Sequence, residues 1–256
     1  MKVILWNLRN SLHELFPTKK FRLILVSLIL IAAFISVSEL LVAKLFTKII
    51  LHEGELEKSR LLLLVFGFFI FYGFTRAGQF AQRIYRLRVF DKAFKASEAE
   101  TTAAKENWKW SLAFELSHVS SSLTQMAVVI SFFFYLNWIF AVIDLLIVLL
   151  VLEVIGRLFK KQIAAQRGFV EARRNKTPVS NVERVSTRIK SGEIGILLAG
   201  FSMIFLLGAL FYLNYKGDIN ASNTVVLFFG LRMQNSNLSG ISTGLMRFAR
   251  ARTHSE

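Results

Sequence analysis

Residues 138–156 read Trp138-Ile-Phe-Ala-Val-Ile-Asp-Leu-Leu-Ile-Val-Leu-Leu-Val-Leu-Glu-Val-Ile-Gly156. At 1.5 Å of rise per residue, a helix of that length covers about 28 Å, close to the hydrocarbon thickness of a bilayer. Its ionisable groups are Asp144 and Glu153. Comparable apolar runs lie near Phe21–Phe46, Leu61–Gly78, Leu123–Leu136, Ile194–Tyr215 and Thr224–Leu245. The third is extended by the mixed stretch from Leu116 to Gln125, and the sixth turns polar at Arg232-Met-Gln-Asn-Ser-Asn237. A core built from 256 residues has no room for six such runs, and 54% of the chain is hydrophobic, with 25 Phe and only 2 Pro. Lipid is therefore the second solvent, and the fold class expected is an all-α integral membrane protein with six transmembrane helices.

The net charge of +15 fits that reading better than it fits nucleic acid, because basic residues of membrane proteins collect in cytoplasmic loops beside anionic headgroups. About 26 of the Lys and Arg residues fall in four regions: the stretch to Arg22, the Arg76–Leu112 connection, the Arg157–Glu193 connection and the tail from Arg247. Six spans with both termini in the cytoplasm place all four on one side. The remaining connections hold about five, largely offset by Glu53, Glu55, Glu57 and Asp218. The expected location is the cytoplasmic (inner) membrane. The absence of cysteine excludes disulfides and thiolate-bound metals. The amino-terminal apolar residues are too dispersed for a cleavable signal peptide.

The two long inside connections, about 78–112 and 157–193, are far beyond ordinary loop length and read as helical extensions. Phe80, Ile84, Leu87, Phe90 and Phe94 continue the second span at steps of three and four, and Ile155, Phe159, Ile163 and Val170 continue the fourth. Ser97-Glu-Ala-Glu100 fits a capping box, which predicts a short helix over Glu98–Lys105. In the second connection Gly168 is the expected helix end, and Thr177-Pro178 the expected start of the next helix. Between them lies a basic segment, Phe169–Lys176, and beyond it Val179, Val182, Val185 and Ile189 lead to the fifth span. Residues 1–20, with Ile4, Leu8, Leu12 and Leu15 or Phe16 on one face, read as an interfacial elbow helix preceding the 21–256 transmembrane domain.

Six spans, an elbow helix and long extensions after spans two and four resemble the transmembrane domain of the type I ABC exporter family. Local stretches agree with it: Arg86-Leu-Arg-Val-Phe90 with Phe94, Asn181-Val-Glu-Arg-Val-Ser-Thr-Arg-Ile-Lys190, Gly217-Asp-Ile-Asn-Ala221 and the basic exit Arg247–Arg252. The resemblance implies a permease subunit of an exporter that works as a dimer, with a second copy or a homologous transmembrane subunit. It implies coupling helices near Glu98–Lys105 and Phe169–Lys176 that seat on an ABC nucleotide-binding domain. The residues it marks for coupling are Glu98, Glu100, Lys105, Phe169, Glu171, Arg173 and Arg174. No Gly-x-x-x-x-Gly-Lys-[Ser/Thr] loop occurs in the chain. ATP and Mg are thus expected on a partner nucleotide-binding domain, a separate chain or one removed from this one, and no cofactor is expected on this chain.

Ionisable residues inside spans are functional candidates by default. Counted from the outer ends, Glu39, Asp144 and Arg232 fall roughly 9–12 Å below the surface, whereas Glu153 belongs to the cytoplasmic boundary. Charge balance predicts that Arg232 pairs with Asp144, or failing that with Glu39, and a water-exposed Arg232 is the other account. With Gln125, Gln234, Asn235 and Asn237 these residues form the expected lining of a translocation cavity. Catalysis has little support. His13, His52, His118 and His254 show no ligand spacing, and Ser120-Ser-Ser122 lacks nucleophile-elbow glycines. The competing functional class is a non-transporting membrane protein on the same fold, a regulatory partner or a membrane enzyme.

Overall fold

The computed structural model describes residues 1–51, 57–95 and 103–255. These residues form seven α-helices: α1 (Lys2–Leu15), α2 (Lys19–Ile50), α3 (Lys58–Lys95), α4 (Ala103–Leu136), α5 (Trp138–Arg174), α6 (Asn181–Tyr215) and α7 (Ala221–Ser255). Five of them, α2 to α6, are long and apolar enough to cross a membrane. Among the described residues the fold is all-α and of membrane type. The polar stretch from Arg232 leaves α7, also 35 residues long, less apolar than the others.

Packing explains that difference. α7 runs along α4 and α6 and also touches α5 and α2, so one side of it after another meets protein. Val226, Leu227, Leu231, Leu238, Ile241 and Leu245 are all buried along it. Such a helix can bury an amide such as Gln234, while Arg232 and Ser236 stay exposed on the part of α7 that its neighbours leave open. α3 is the opposite case: it packs against α2 and leaves Leu62, Leu63, Phe66 and Phe69 exposed.

Both ends of the chain meet at one end of the bundle, where Arg252 donates to the Asn7 Oδ1 at 2.6 Å. Phe16 there packs on Phe90 and Phe94, both of which meet Trp110 edge-on, and Phe90 also meets Phe114 edge-on. The buried apolar residues of α1 (Ile4, Leu8 and Leu15) face α4 and α5. The bend into α2 is held by the Arg22 guanidinium, which donates to the carbonyls of Phe16 and Pro17. At the other end a single residue joins α4 to α5. The Asn137 side chain accepts from the Phe140 N–H at 2.9 Å and donates to the Asp218 carbonyl at 3.3 Å. It thus caps α5 and ties that turn to the one between α6 and α7. The α6–α7 turn needs Gly217, whose φ is +86°.

The second extension differs from the sequence expectation. Gly168 does not end the helix; α5 runs on to Arg174. A solvent-facing glycine costs a long helix about 1 kcal/mol, which the flanking turns absorb. The left-handed residue at the reversal is Lys176, φ +56°. Thr177 does not start α6 either. Its hydroxyl donates to the Ala172 carbonyl at 2.8 Å, closing the end of α5, and α6 is capped by Ser180, which accepts from the Val182 N–H at 3.2 Å. No separate transverse helix lies at this tip. In the first extension Glu98, Glu100 and the capping box fall outside the described residues, and Lys105 lies in the first turns of the ascending helix α4.

Candidate functional site

Ser38 and Thr75 lock α2 to α3: the Thr75 hydroxyl donates to Ser38 Oγ and the Ser38 hydroxyl to the Phe71 carbonyl, both at 2.9 Å. Gln82 Nε2 adds a bond to the Leu28 carbonyl at 3.1 Å, and Gln125 Nε2 of α4 one to the Ala32 carbonyl at 3.3 Å. These side chain to backbone bonds fix the rotation of α2, and with it the direction in which Ser36, Glu39 and Ala43 point.

That direction is a cavity of about 670 Å³ between α2, α3, α4 and α7. Ser36, Glu39 and Ala43 line it from α2, Arg76 from α3 and Gln125 from α4. From α7 come Phe229, Arg232, Met233, Ser236 and Asn237, whose steps of three and four place them on one helix face. Four of the seven residues expected around a cavity therefore converge here: Glu39, Gln125, Arg232 and Asn237. Sequence reasoning missed Arg76 and Ser36. Arg76 belonged to a cytoplasmic basic region by position, and its presence in the cavity depends on how α3 is rotated against α2.

The charges are arranged unevenly. Gln79 Nε2 donates to Glu39 Oε1 at 2.9 Å, and Arg76 Nη1 reaches Gln79 Oε1 at 3.4 Å. Arg76 also lies over the Tyr72 ring, 5.3 Å from its centroid. Glu39 and Arg76 thus share one network through an amide. Arg232 forms no ion pair with Asp144 or Glu39, and the expected pairing is corrected. Asp144 is fully buried and its Oδ1 accepts from Gln234 Nε2 at 2.5 Å. Gln234 sits two residues beyond Arg232, about 200° around the helix, so the two point to different sides of α7. Asp144, Gln234 and Asn235 are therefore placed apart from the cavity lining.

The remaining candidates lie near the other end of the bundle. Phe169, Glu171, Arg173 and Arg174 sit at the exposed end of α5 with half-buried Phe169 among them. Glu115 is paired to Arg247 at 2.7 Å across α4 and α7, with His118 against Gly240. His254 stacks on Trp108, centroids 4.6 Å apart, and Arg250 lies over the same ring. Burial, then Arg250, Arg184 and Arg173, push the His254 pKa below its ordinary value. Among the described residues no group of His, Asp and Glu is placed to hold a metal ion.

Comparison with protein families finds no family that matches the chain, and comparison with curated proteins finds no significant match.

Proposed function

We propose that this chain is the membrane half of an ABC exporter: α2 to α7 are six spans, with both termini in the cytoplasm of an inner-membrane protein. An ABC nucleotide-binding domain on another chain, or one removed from this chain, supplies ATP hydrolysis. The observation that carries the reading is the length of the paired helices. α3, α4, α5 and α6 have 38, 34, 37 and 35 residues, which is roughly 50–57 Å against about 30 Å of hydrocarbon. Each pair projects some 20 Å past the membrane, a lever by which a cytoplasmic engine moves the spans. The meeting of the two chain ends at one end of the bundle and the polar cavity support the same reading. The docking surface at the second tip is then the end of α5 and the turn after it, with Arg173 and Arg174 exposed.

A second copy is part of this reading. The stripes that continue spans two and five as extensions, Phe80 and Leu87 on α3 and Val182 and Ile189 on α6, are exposed in the single chain at 68, 53, 75 and 51%. Apolar stripes on segments outside the bilayer need covering, and a partner transmembrane subunit does so.

The test is reconstitution with a candidate nucleotide-binding subunit and measurement of vanadate-sensitive ATPase activity. Stimulation by the wild-type chain and its loss on Arg173→Glu/Arg174→Glu, with the membrane domain still folded, is the expected result. Equal stimulation by that variant would remove the α5 tip from coupling. No association with any such subunit favours the non-transporting class.

A further inference from the structure

The cavity between α2, α3, α4 and α7 has a chemical sign. Its ionisable lining is two guanidiniums, Arg76 and Arg232, and one carboxylate, Glu39. Glu39 is engaged from the Arg76 side through Gln79. The Arg232 guanidinium has no ion-pair partner among the described residues, although a solitary cation at membrane depth is costly. A guanidinium presents five donors in a planar fork that matches a carboxylate or phosphate. One helical turn further, Ser236 and Asn237 extend the same face. Across the cavity Ser36 is buried at 1% exposure, lines the wall, and its hydroxyl has no hydrogen-bond partner. A buried hydroxyl is normally satisfied. In the cavity wall, that unmet hydrogen bond points to a ligand oxygen as the partner. Gln125 adds an amide to the wall, Ala43, Phe229 and Met233 give the lining its apolar part, and about 670 Å³ is within the range of small-molecule sites.

We propose that this cavity binds an amphipathic anion, its carboxylate or phosphate held by Arg232 with Ser36 and Ser236, and its apolar part against Phe229 and Met233. This deepens the permease reading and rests on it for the idea that the occupant is cargo. The binding itself is a property of this chain alone. An anionic lipid and a soluble amphipath share the required chemistry.

Because the chain has no cysteine, Ala43→Cys places a unique thiol in the cavity wall. The purified protein in discs of zwitterionic lipid is treated with a water-soluble maleimide, and the labelling rate is read with octyl phosphate, inorganic phosphate or octyltrimethylammonium added. Saturable slowing by octyl phosphate and by neither other compound is the expected result. Adding Arg232→Gln should weaken that protection at least tenfold, and Arg232→Lys should keep part of it, which separates lost charge from lost fold. Slowing by phosphatidic acid in the disc assigns the site to a lipid headgroup. Slowing only by added octyl phosphate assigns it to a soluble amphipath, and either supports the proposal. Equal protection by octyltrimethylammonium, no effect of Arg232→Gln, or a thiol that never labels would overturn it. Charge-selective protection in a protein that couples to no ATPase would sink the permease reading while leaving this site. Vanadate-sensitive ATPase stimulation without charge selectivity at position 43 would do the reverse.

Discussion

Asp144 sits at full burial with one amide as its partner, and its Oδ2 and the Gln234 Oε1 have no protein partner. Asp144→Ala strands the Gln234 amide in an apolar surrounding, at a cost of about 1–3 kcal/mol. Asp144→Asn keeps an oxygen for Gln234 Nε2 and supplies a donor for Gln234 Oε1, so it should melt close to wild type in detergent. The coupling belongs to Gln234 rather than to Arg232. A double-mutant cycle of Asp144→Ala with Gln234→Leu should fall short of additivity by at least about 0.5 kcal/mol, while the cycle with Arg232→Ala should be nearly additive. The reverse pattern would restore the arginine pair. At the other end, the depressed His254 pKa has a defined sign. The unfolded chain takes up this proton at about pH 6.5, the folded chain only below that. The His254 contribution is complete above about pH 6.5 and is lost as pH falls from there through the folded value. Melting temperature against pH should therefore drop less steeply below that point in His254→Asn than in wild type; parallel curves would show that His254 is not the group responsible.

At the scale of the helices, close approach at α7 is set by small residues. A methyl group at Gly195 would collide with the Ser242 side chain, and one at Gly230 with the Phe133 ring. Gly200 of α6 has nothing within 4 Å of where its Cβ would be. Gly195→Ala and Gly230→Ala should each destabilise by about 1–3 kcal/mol, as overpacking does. Gly200→Ala should leave stability unchanged or raise it, since alanine is the better helix former by up to about 1 kcal/mol. Thermal unfolding of the three variants checks the packing of α6 on α7 and of α7 on α4, and equal behaviour at positions 195 and 200 would contradict it. The same reasoning applies to Gly168 of α5, which also faces open space. The sequence offered it as a helix end, and the helix passed through because its cost is small beside the bonds of the continuing turns.

For the whole molecule, the proposed orientation is argued from the loop charges and is open to direct measurement. In the cysteine-free chain, single cysteines at Asp218, Lys105 and Asn175 should divide cleanly. An impermeant thiol reagent outside intact cells should reach position 218 and fail at 105 and 175. Labelling at Lys105 would overturn the orientation. The proposed second copy makes a separate demand. Val182→Glu/Val185→Glu charges an exposed stripe of α6 and should lower the mass of the particle in lipid discs from two chains to one. An unchanged dimer would mean that other surfaces join the copies.

Composition and run length were enough to determine that this is a helical membrane protein, where its apolar runs lie and that helices continue beyond several of those runs. Those properties are local sums: enough apolar residues in succession partition into lipid whatever their neighbours do. The same sums ranked α7 last, although tertiary structure makes it a central helix, because its polar residues face protein and a cavity. Counting along the spans placed Asp144 and Arg232 at one depth, but depth is only one coordinate. Each residue turns the helix by about 100°, and the rotation of each helix against its neighbours decides contact. That rotation gave Asp144 to Gln234, turned Arg232 into the cavity and brought Arg76 to it. It is set by bonds such as Thr75 to Ser38 and by glycine contacts such as Gly195 on Ser242, which exist only once the helices have packed.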